Sequence, residues 1–330
     1  MFKEKAFYGL SPDLAPFAGK SPAEQAAWLA AAGSTAVFGG YENPAFVQAA
    51  HAAGLRVYAE FGCFVGRAWW DRIPASRPIT AEAAALEPEG WYHGVNPANP
   101  AVREERLAAL ERLLCEHELD GVWLDFIRWP CHWEVHEPRL AHTSFDPITL
   151  AAFGRDTGLS IPLDDPAVAA SVLLGRHEAA WTAWRCEQIT SWAAQAKALV
   201  RRVRPGAVLG LFGVPWRLAD RDCAILKIIG QDYRRLGEHV DVISPMVYHR
   251  MCGFGPGWIG EVVEELHALS RKPVWPIIQA VDEPSPLPAA EYGQALEIAL
   301  RHPASSGALI FTLKAALEDA KLAATKEAFL

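Results

Sequence analysis

Eight short apolar runs, each followed by a longer segment of helical periodicity, succeed one another from one end of this chain to the other. The runs span 6–10, 34–39, 55–61, 121–127, 207–212, 240–248, 273–281 and 307–312. Strands buried on both faces read as near-continuous apolar runs, because helices cover the sheet on either side. Strand-then-helix repeated eight times is the pattern of a (β/α)8 TIM barrel, the α/β class with all strands parallel. The helical segments span 21–32, 43–53, 101–118, 147–157, 167–204, 232–239, 259–270, 288–301 and 315–329, and that over 167–204 is broken once. Ser21, Pro22 and Glu24 supply an N-cap, a first helical residue and a capping-box partner, and Gly54 stops the second helix. An open doubly wound sheet is the alternative, but no GxGxxG or P-loop follows any predicted strand. There is no fixed-period repeat and no Gly/Ser linker, so one domain over 1–330 is expected. Long loops follow the third and fourth strands, over 62–100 and 129–146, and loops of that length in a compact domain are usually functional.

With 51% hydrophobic and 21% charged residues, the chain can bury a large core, and its net charge of -8 argues against nucleic acid or anionic membrane as a partner. No apolar stretch is long enough to span a bilayer, and the first residues do not read as a secretory signal. The cysteines at 63, 115, 131, 186, 223 and 252 are scattered without a CxxC pair, so neither a disulfide framework nor a zinc ribbon is indicated. A reducing, cytoplasmic location is the expectation. The 13 tryptophans are many for this length. About half are expected in the core, while Trp69, Trp70, Trp91, Trp129, Trp133 and Trp216 fall in loops or strand ends, where indoles can stack on sugar rings. They could equally serve a contact between two copies, a homodimer.

The segment Leu119-Asp120-Gly121-Val122-Trp123-Leu124-Asp125-Phe126-Ile127-Arg128-Trp129-Pro130 carries a charged pair to the end of an apolar strand. A buried strand does not hold a carboxylate unless it is paired or has a task. In a parallel barrel the C-terminal strand ends face one pocket. They contribute Glu60 after the third strand, Asp125 and Arg128 after the fourth, Trp216 after the fifth, and Tyr248 and His249 after the sixth. Gln279, Asp282 and Glu283 follow from the seventh. Groups that read hydroxyls, aromatics that stack on sugars and at least two acids make a carbohydrate site. Glycoside hydrolysis needs such an acid pair, one to protonate the leaving oxygen and one to attack the anomeric carbon or activate water.

The chain resembles the glycosyl-hydrolase group of the β/α-barrel glycosidase superfamily, a poorly characterised bacterial family. That family's fourth-strand motif ends Phe-Asp-Tyr-(Ile/Val)-Arg-(Phe/Tyr)-Pro, and the residues from Leu124 to Pro130 are similar to it. Asn96-Pro97-Ala98-Asn99-Pro100-Ala101-Val102-Arg103 resembles its Asn-Pro segment, Ile243-Ser244-Pro245-Met246-Val247-Tyr248 its Ser-Pro-Met-x-Tyr strand, and Trp275-Pro276-Ile277-Ile278-Gln279-Ala280 its seventh strand. The resemblance covers roughly 55–312 in the right order and implies a carbohydrate-active barrel with Asp125 central. Two related patterns do not fit. Ile127 stands where the chitinase-type motif has its Glu, and Val214-Pro215-Trp216 offers no acid where α-amylases have one.

The expected function is therefore a glycoside hydrolase acting on a glycoside or short oligosaccharide, with no cofactor. Asp125, kept ionised by Arg128, is expected as nucleophile or base. Glu60 leads as general acid, since burial would raise its pKa, and Asp282 and Glu283 follow, with Glu134 and Glu137 behind them. Substrate contact is expected from Arg128, Trp129, Trp133, His132, Glu134, Trp216, Tyr248, His249, Gln279 and Trp70. Two other readings stand beside it. One is a catalytically silent carbohydrate-binding barrel. The other is a metal-dependent hydrolase built on His132 and His136, although neither HExxH nor the His-x-His of amidohydrolase barrels is present.

Overall fold

In a computed structural model, which describes residues 3–330, the eight runs form eight parallel strands closed into a barrel in chain order. They are β1 (Glu4–Tyr8), β2 (Ala36–Phe38), β3 (Arg56–Gly62), β4 (Gly121–Asp125), β5 (Val208–Gly213), β6 (Val242–Val247), β7 (Ile277–Gln279) and β8 (Gly307–Phe311). Pairing of β1 with β8, Ala6 opposite Leu309, closes the barrel. The first four helices are α1 (Pro22–Ala31), α2 (Pro44–Ala52), α3 (Arg67–Arg72) and α4 (Pro100–Glu116). Between β4 and β5 lie α5 (Pro147–Thr157), α6 (Pro166–Arg176) and α7 (Glu178–Val203). The ring is completed by α8 (Tyr233–Leu236), α9 (Gly257–Ser270), α10 (Ala289–Arg301), α11 (Leu313–Ala316) and α12 (Asp319–Phe329). None of the described helices is long and apolar enough to cross a membrane.

Local sequence explains most of the starts. The Ser21 hydroxyl accepts the Glu24 amide and the Glu24 carboxylate accepts the Ser21 amide, so the capping box of α1 is closed. Asn43, Asn99, Asp146 and Asp165 cap α2, α4, α5 and α6, and a proline follows each cap at the first helical position. The side chain satisfies an orphan amide while the proline removes another, an arrangement in which each cap contributes about 1 kcal/mol.

The differences from the sequence expectation have physical causes. β4 stops at Asp125 rather than 127 because Phe126 takes a left-handed backbone, φ 50°. β7 is shorter than expected because Pro273 and Pro276 lack amide donors; Val274 makes only isolated bridges to Ile243 and Ser305. The break in the 167–204 helix falls at His177, between α6 and α7, and the last helix is divided into α11 and α12. A π-helical turn over Ile225–Ile229 follows β5, where the sequence predicts no element.

The barrel interior is aromatic. Trp123 of β4 packs edge-on against Phe38, with ring centroids 5.0 Å apart, and stacks on Trp275 at 5.4 Å. Its indole nitrogen donates to the Ser244 hydroxyl at 3.0 Å. Gly210 on β5 leaves the room this ring needs, since a Cβ there would stand 2.0 Å from the indole. Phe38 and Phe212 lie 5.4 Å apart, and Tyr8 packs on both. These rings fill the barrel, so anything that binds along its axis sits on a solid floor at the C-terminal mouth.

Candidate active site at the C-terminal mouth of the barrel

Asp125 is the last residue of β4 and is 8% exposed. Its carbonyl oxygen accepts the Cys63 amide at 2.8 Å, and its Oδ1 accepts the Phe126 amide at 2.7 Å. The left-handed turn at Phe126 ends the strand there and leaves the carboxyl at the mouth. Burial and the neighbouring Glu60 charge push the Asp125 carboxyl well above the usual carboxylate range, against the opposing pull of Arg128 and the Phe126 amide. The expected ionisation of Asp125 by Arg128 is thus not what the geometry gives. Arg128 Nη1 stays 3.9 Å from Oδ1 without a hydrogen bond, and burial outweighs it.

Glu60 sits on β3 opposite Trp123 and receives a hydrogen bond from the Tyr8 hydroxyl. Together with Tyr8, Phe38 and Tyr41 it lines a depression of about 230 Å³. Glu134 comes from the loop after β4 and lies near Arg128 and His132. Burial raises its carboxyl above the ordinary range, partly offset by Arg128 and His132. His132 holds Glu89 through Nδ1 at 3.0 Å and approaches Glu134 at 4.0 Å. Glu283 stands on an exposed rim, near enough for its charge to act on Glu134.

Tyr248 is the residue on which these groups converge. Its ring stacks on Phe311 at 4.9 Å and on Trp133 at 5.8 Å. Burial, with Glu134, Asp125, Tyr8 and Glu60 around it, pushes its hydroxyl well above the ordinary tyrosine range. It therefore remains a neutral donor beside three carboxyls. Arg128 is buried beneath this layer, its guanidinium 4.7 Å from the centre of the Phe126 ring and 5.6 Å from that of Tyr92. Burial opposes its charge, but Tyr92, Asp125, Glu134 and Cys131 hold the charge in place. The Nε and Nη1 of Arg128 and the indole nitrogen of Trp133 are buried without a hydrogen-bond partner.

Other residues predicted for the site are spent elsewhere. Trp129 is fully buried toward α7, its indole donating to the Arg185 carbonyl at 3.0 Å with the Arg185 guanidinium over the ring. The left-handed step at Phe126 breaks the alternation that would have carried Trp129 to the mouth. Trp216 is buried beneath the Arg221 guanidinium, 5.4 Å from its centre. Trp70 packs against His93 and Arg77 and faces a small cleft lined also by Tyr92, Pro130 and His132. His249, next to inward-facing Tyr248, is bonded outward to Glu291 of α10 at 3.0 Å, and burial lowers its pKa. The Gln279 amide accepts the Met251 amide and donates to the carbonyls of Val281 and Glu283. Asp282 pairs with buried Lys321 at 2.8 Å and caps the Leu287 amide. His136 packs against Gly253, apart from the His132 pairings, and no group of three or more His, Cys, Asp or Glu side chains is placed to hold a metal ion among the described residues.

Tyr8, Tyr92 and Phe126 belong to the mouth but are absent from the residues the sequence predicts for it. Tyr8 ends β1, and the strand-end rule would find it if the first apolar run were stopped there instead of at residue 10.

No protein-family model matches the chain, and no curated protein matches it. Among solved structures the barrel is similar to glycoside hydrolases. The β-galactosidase from the psychrophilic Marinomonas ef1 superposes with a TM-score of 0.71 at 12% identity, over 100% of this chain and 59% of that one. The PgaB (BpsB) glycoside hydrolase domain from Bordetella bronchiseptica gives 0.70 at 14% identity, over 98% of both chains. The α-L-fucosidase isoenzyme 2 from Paenibacillus thiaminolyticus gives 0.59 at 10%, over 99% of this chain and 49% of that one. The chain thus spans little more than half the length of the β-galactosidase, and almost all of the PgaB domain. Identities this low speak for a shared fold.

Proposed function

We propose that this protein is a glycoside hydrolase of one catalytic domain, acting on a glycoside or short oligosaccharide at the C-terminal mouth of its barrel. The observation that carries this reading is a buried strand-end carboxyl, Asp125, within electrostatic reach of Glu60 and Glu134 at the mouth, above an aromatic floor. The glycoside-hydrolase barrels it resembles support the same reading.

A buried carboxyl beside a second negative charge is favoured to keep its proton. Burial and the Glu60 charge favour Asp125 as its holder, which suits Asp125 to protonate the glycosidic oxygen as the aglycone leaves. Glu60, oriented by the Tyr8 hydroxyl, is the group to attack the anomeric carbon or to draw a proton from water. These roles reverse those expected from sequence. Glu134 and the neutral Tyr248 hydroxyl are suited to sugar hydroxyls, and the buried Arg128 charge offsets the carboxyls as their protonation changes. The chemistry needs no cofactor. All six cysteines are free, which suits the cytoplasm as its location.

The test is a product screen by mass spectrometry, with wild type and Asp125→Asn incubated with a broad panel of glycosides and oligosaccharides. Cleavage by wild type alone is expected. Equal cleavage by both would remove Asp125 from the chemistry, and sugar binding without any cleavage would leave a silent binding barrel.

A further inference from the structure

We propose that Trp91 and Phe126 form an outer stacking subsite for a second sugar ring, so that the substrate is an oligosaccharide rather than a glycoside of a single sugar. This rests on the glycosidase reading above and extends it from the cleaved bond to the chain length of the substrate.

Trp91 is 65% exposed, more than any other large apolar side chain among the described residues apart from Leu330. Its exposure is held by a built turn. Glu89 and Tyr92 exchange backbone hydrogen bonds of 3.3 and 3.0 Å across Gly90 and Trp91, and Gly90 takes the positive φ of 60° that the turn requires. His93 Nδ1 is bonded to the Trp91 carbonyl at 2.9 Å. Below, Tyr92 is buried and stacks on Phe126 at 5.9 Å, with Arg128 lying over both rings. The indole meets Phe126 and Tyr92 edge-on, each at 5.9 Å.

With perpendicular contacts to Phe126 and Tyr92 and 65% of its surface exposed, the indole leaves apolar area open to solvent. A fixed aromatic surface can bind a sugar's C–H face with little loss of conformational freedom. The position selects the ligand. Arg128 lies 3.9 Å from the Asp125 carboxyl and over the Phe126 ring, and Phe126 meets Trp91, so the aromatic strip connects the surroundings of the acid with Trp91. A ring adjoining the one processed at Asp125 would come to rest on it.

The experiment compares wild type, Trp91→Ala and Trp91→Phe on p-nitrophenyl monoglycosides and on cello-, xylo-, chito- and galacto-oligosaccharides of two to six units. Binding of the same oligosaccharides is measured by calorimetry in the Asp125→Asn background, with and without Trp91→Ala. Trp91→Ala is expected to cost about three- to tenfold more in kcat/KM on oligosaccharides than on monoglycosides, mostly through KM, with Trp91→Phe recovering much of it. Equal losses on both substrate types would overturn the subsite and leave the glycosidase reading standing. Oligosaccharide binding that depends on Trp91 without any hydrolysis by wild type would support the subsite and overturn the hydrolase reading. Neither binding nor cleavage of any of these sugars would overturn both.

Discussion

The ends of β3 and β4 and the ends of β6 and β7 carry similar polar residues, yet they use them in opposite ways. At β6 and β7, Gln279 spends its whole amide on three backbone groups, Asp282 holds buried Lys321, and His249 reaches out to Glu291 through Nε2, with only its Nδ1 left without a hydrogen bond. At β3 and β4, Asp125 and Glu134 act on one buried arginine and Glu60 acts on Asp125, and two nitrogens of that arginine have no hydrogen-bond partner. Buried polar groups are ordinarily satisfied. Polarity at a strand end therefore does not mark function by itself. Carboxyls that act on one another beside a buried charge are the better sign, since unpartnered nitrogens also occur away from the mouth, as at Arg185.

The largest effect should appear at the under-satisfied end. Asp125→Asn and Glu60→Gln are each expected to lower kcat about 10²- to 10⁴-fold, the usual contribution of a positioned acid or base. Steady-state kinetics on the substrate found in the screen would measure it. A loss below about tenfold at either position would shift the chemistry to Glu134 and redraw the site.

Gln279→Leu tests the other side of the comparison. It orphans the Met251 amide and removes two donated hydrogen bonds from a fully buried position. An orphaned buried group costs about 1–3 kcal/mol, so the denaturant midpoint should fall while kcat of the folded protein, on the substrate found in the screen, changes little. A large fall in kcat with unchanged stability would return Gln279 to the substrate site, as the sequence suggests.

The limits of the sequence are visible in the same residues. Strand number and order follow from apolar runs and helix caps, which are local properties: Ser21 with Glu24, and the Asn-Pro and Asp-Pro caps of four helices. Asp125 and Glu60 are legible because an apolar strand seldom carries a carboxylate that has neither a partner nor a task. Trp129 is not, because its side is decided by one left-handed residue, Phe126, where neither Gly nor Asn announces the turn. Gln279 and Asp282 mislead for another reason. A buried amide or carboxylate has two solutions, a ligand or a nearby loop. The partners that decide between them, Met251 and Lys321, are distant in sequence.

The smallest effect is also the one that separates the two regions most cleanly. A carboxyl whose folded pKa is raised binds its proton more tightly in the native state than in the unfolded chain. Its contribution to stability is therefore present below the unfolded carboxylate range and is lost as pH rises through the folded pKa. Asp125 is such a group. Asp125→Asn removes the charge that folding must otherwise bury, so the variant should be the more stable protein at neutral and alkaline pH, by on the order of 1 kcal/mol. The gain should vanish in acid, where wild-type Asp125 is protonated in both states. Asp282 behaves with the opposite sign. Its hydrogen bonds to Lys321 and the Leu287 amide lower its pKa, so Asp282→Asn should cost stability above the unfolded carboxylate range and cost less as pH falls. Thermal unfolding of both variants against pH reads the two signs directly. Destabilisation by Asp125→Asn at neutral pH would mean that its carboxylate is held as firmly as that of Asp282, and the distinction between the two ends of the barrel would fail.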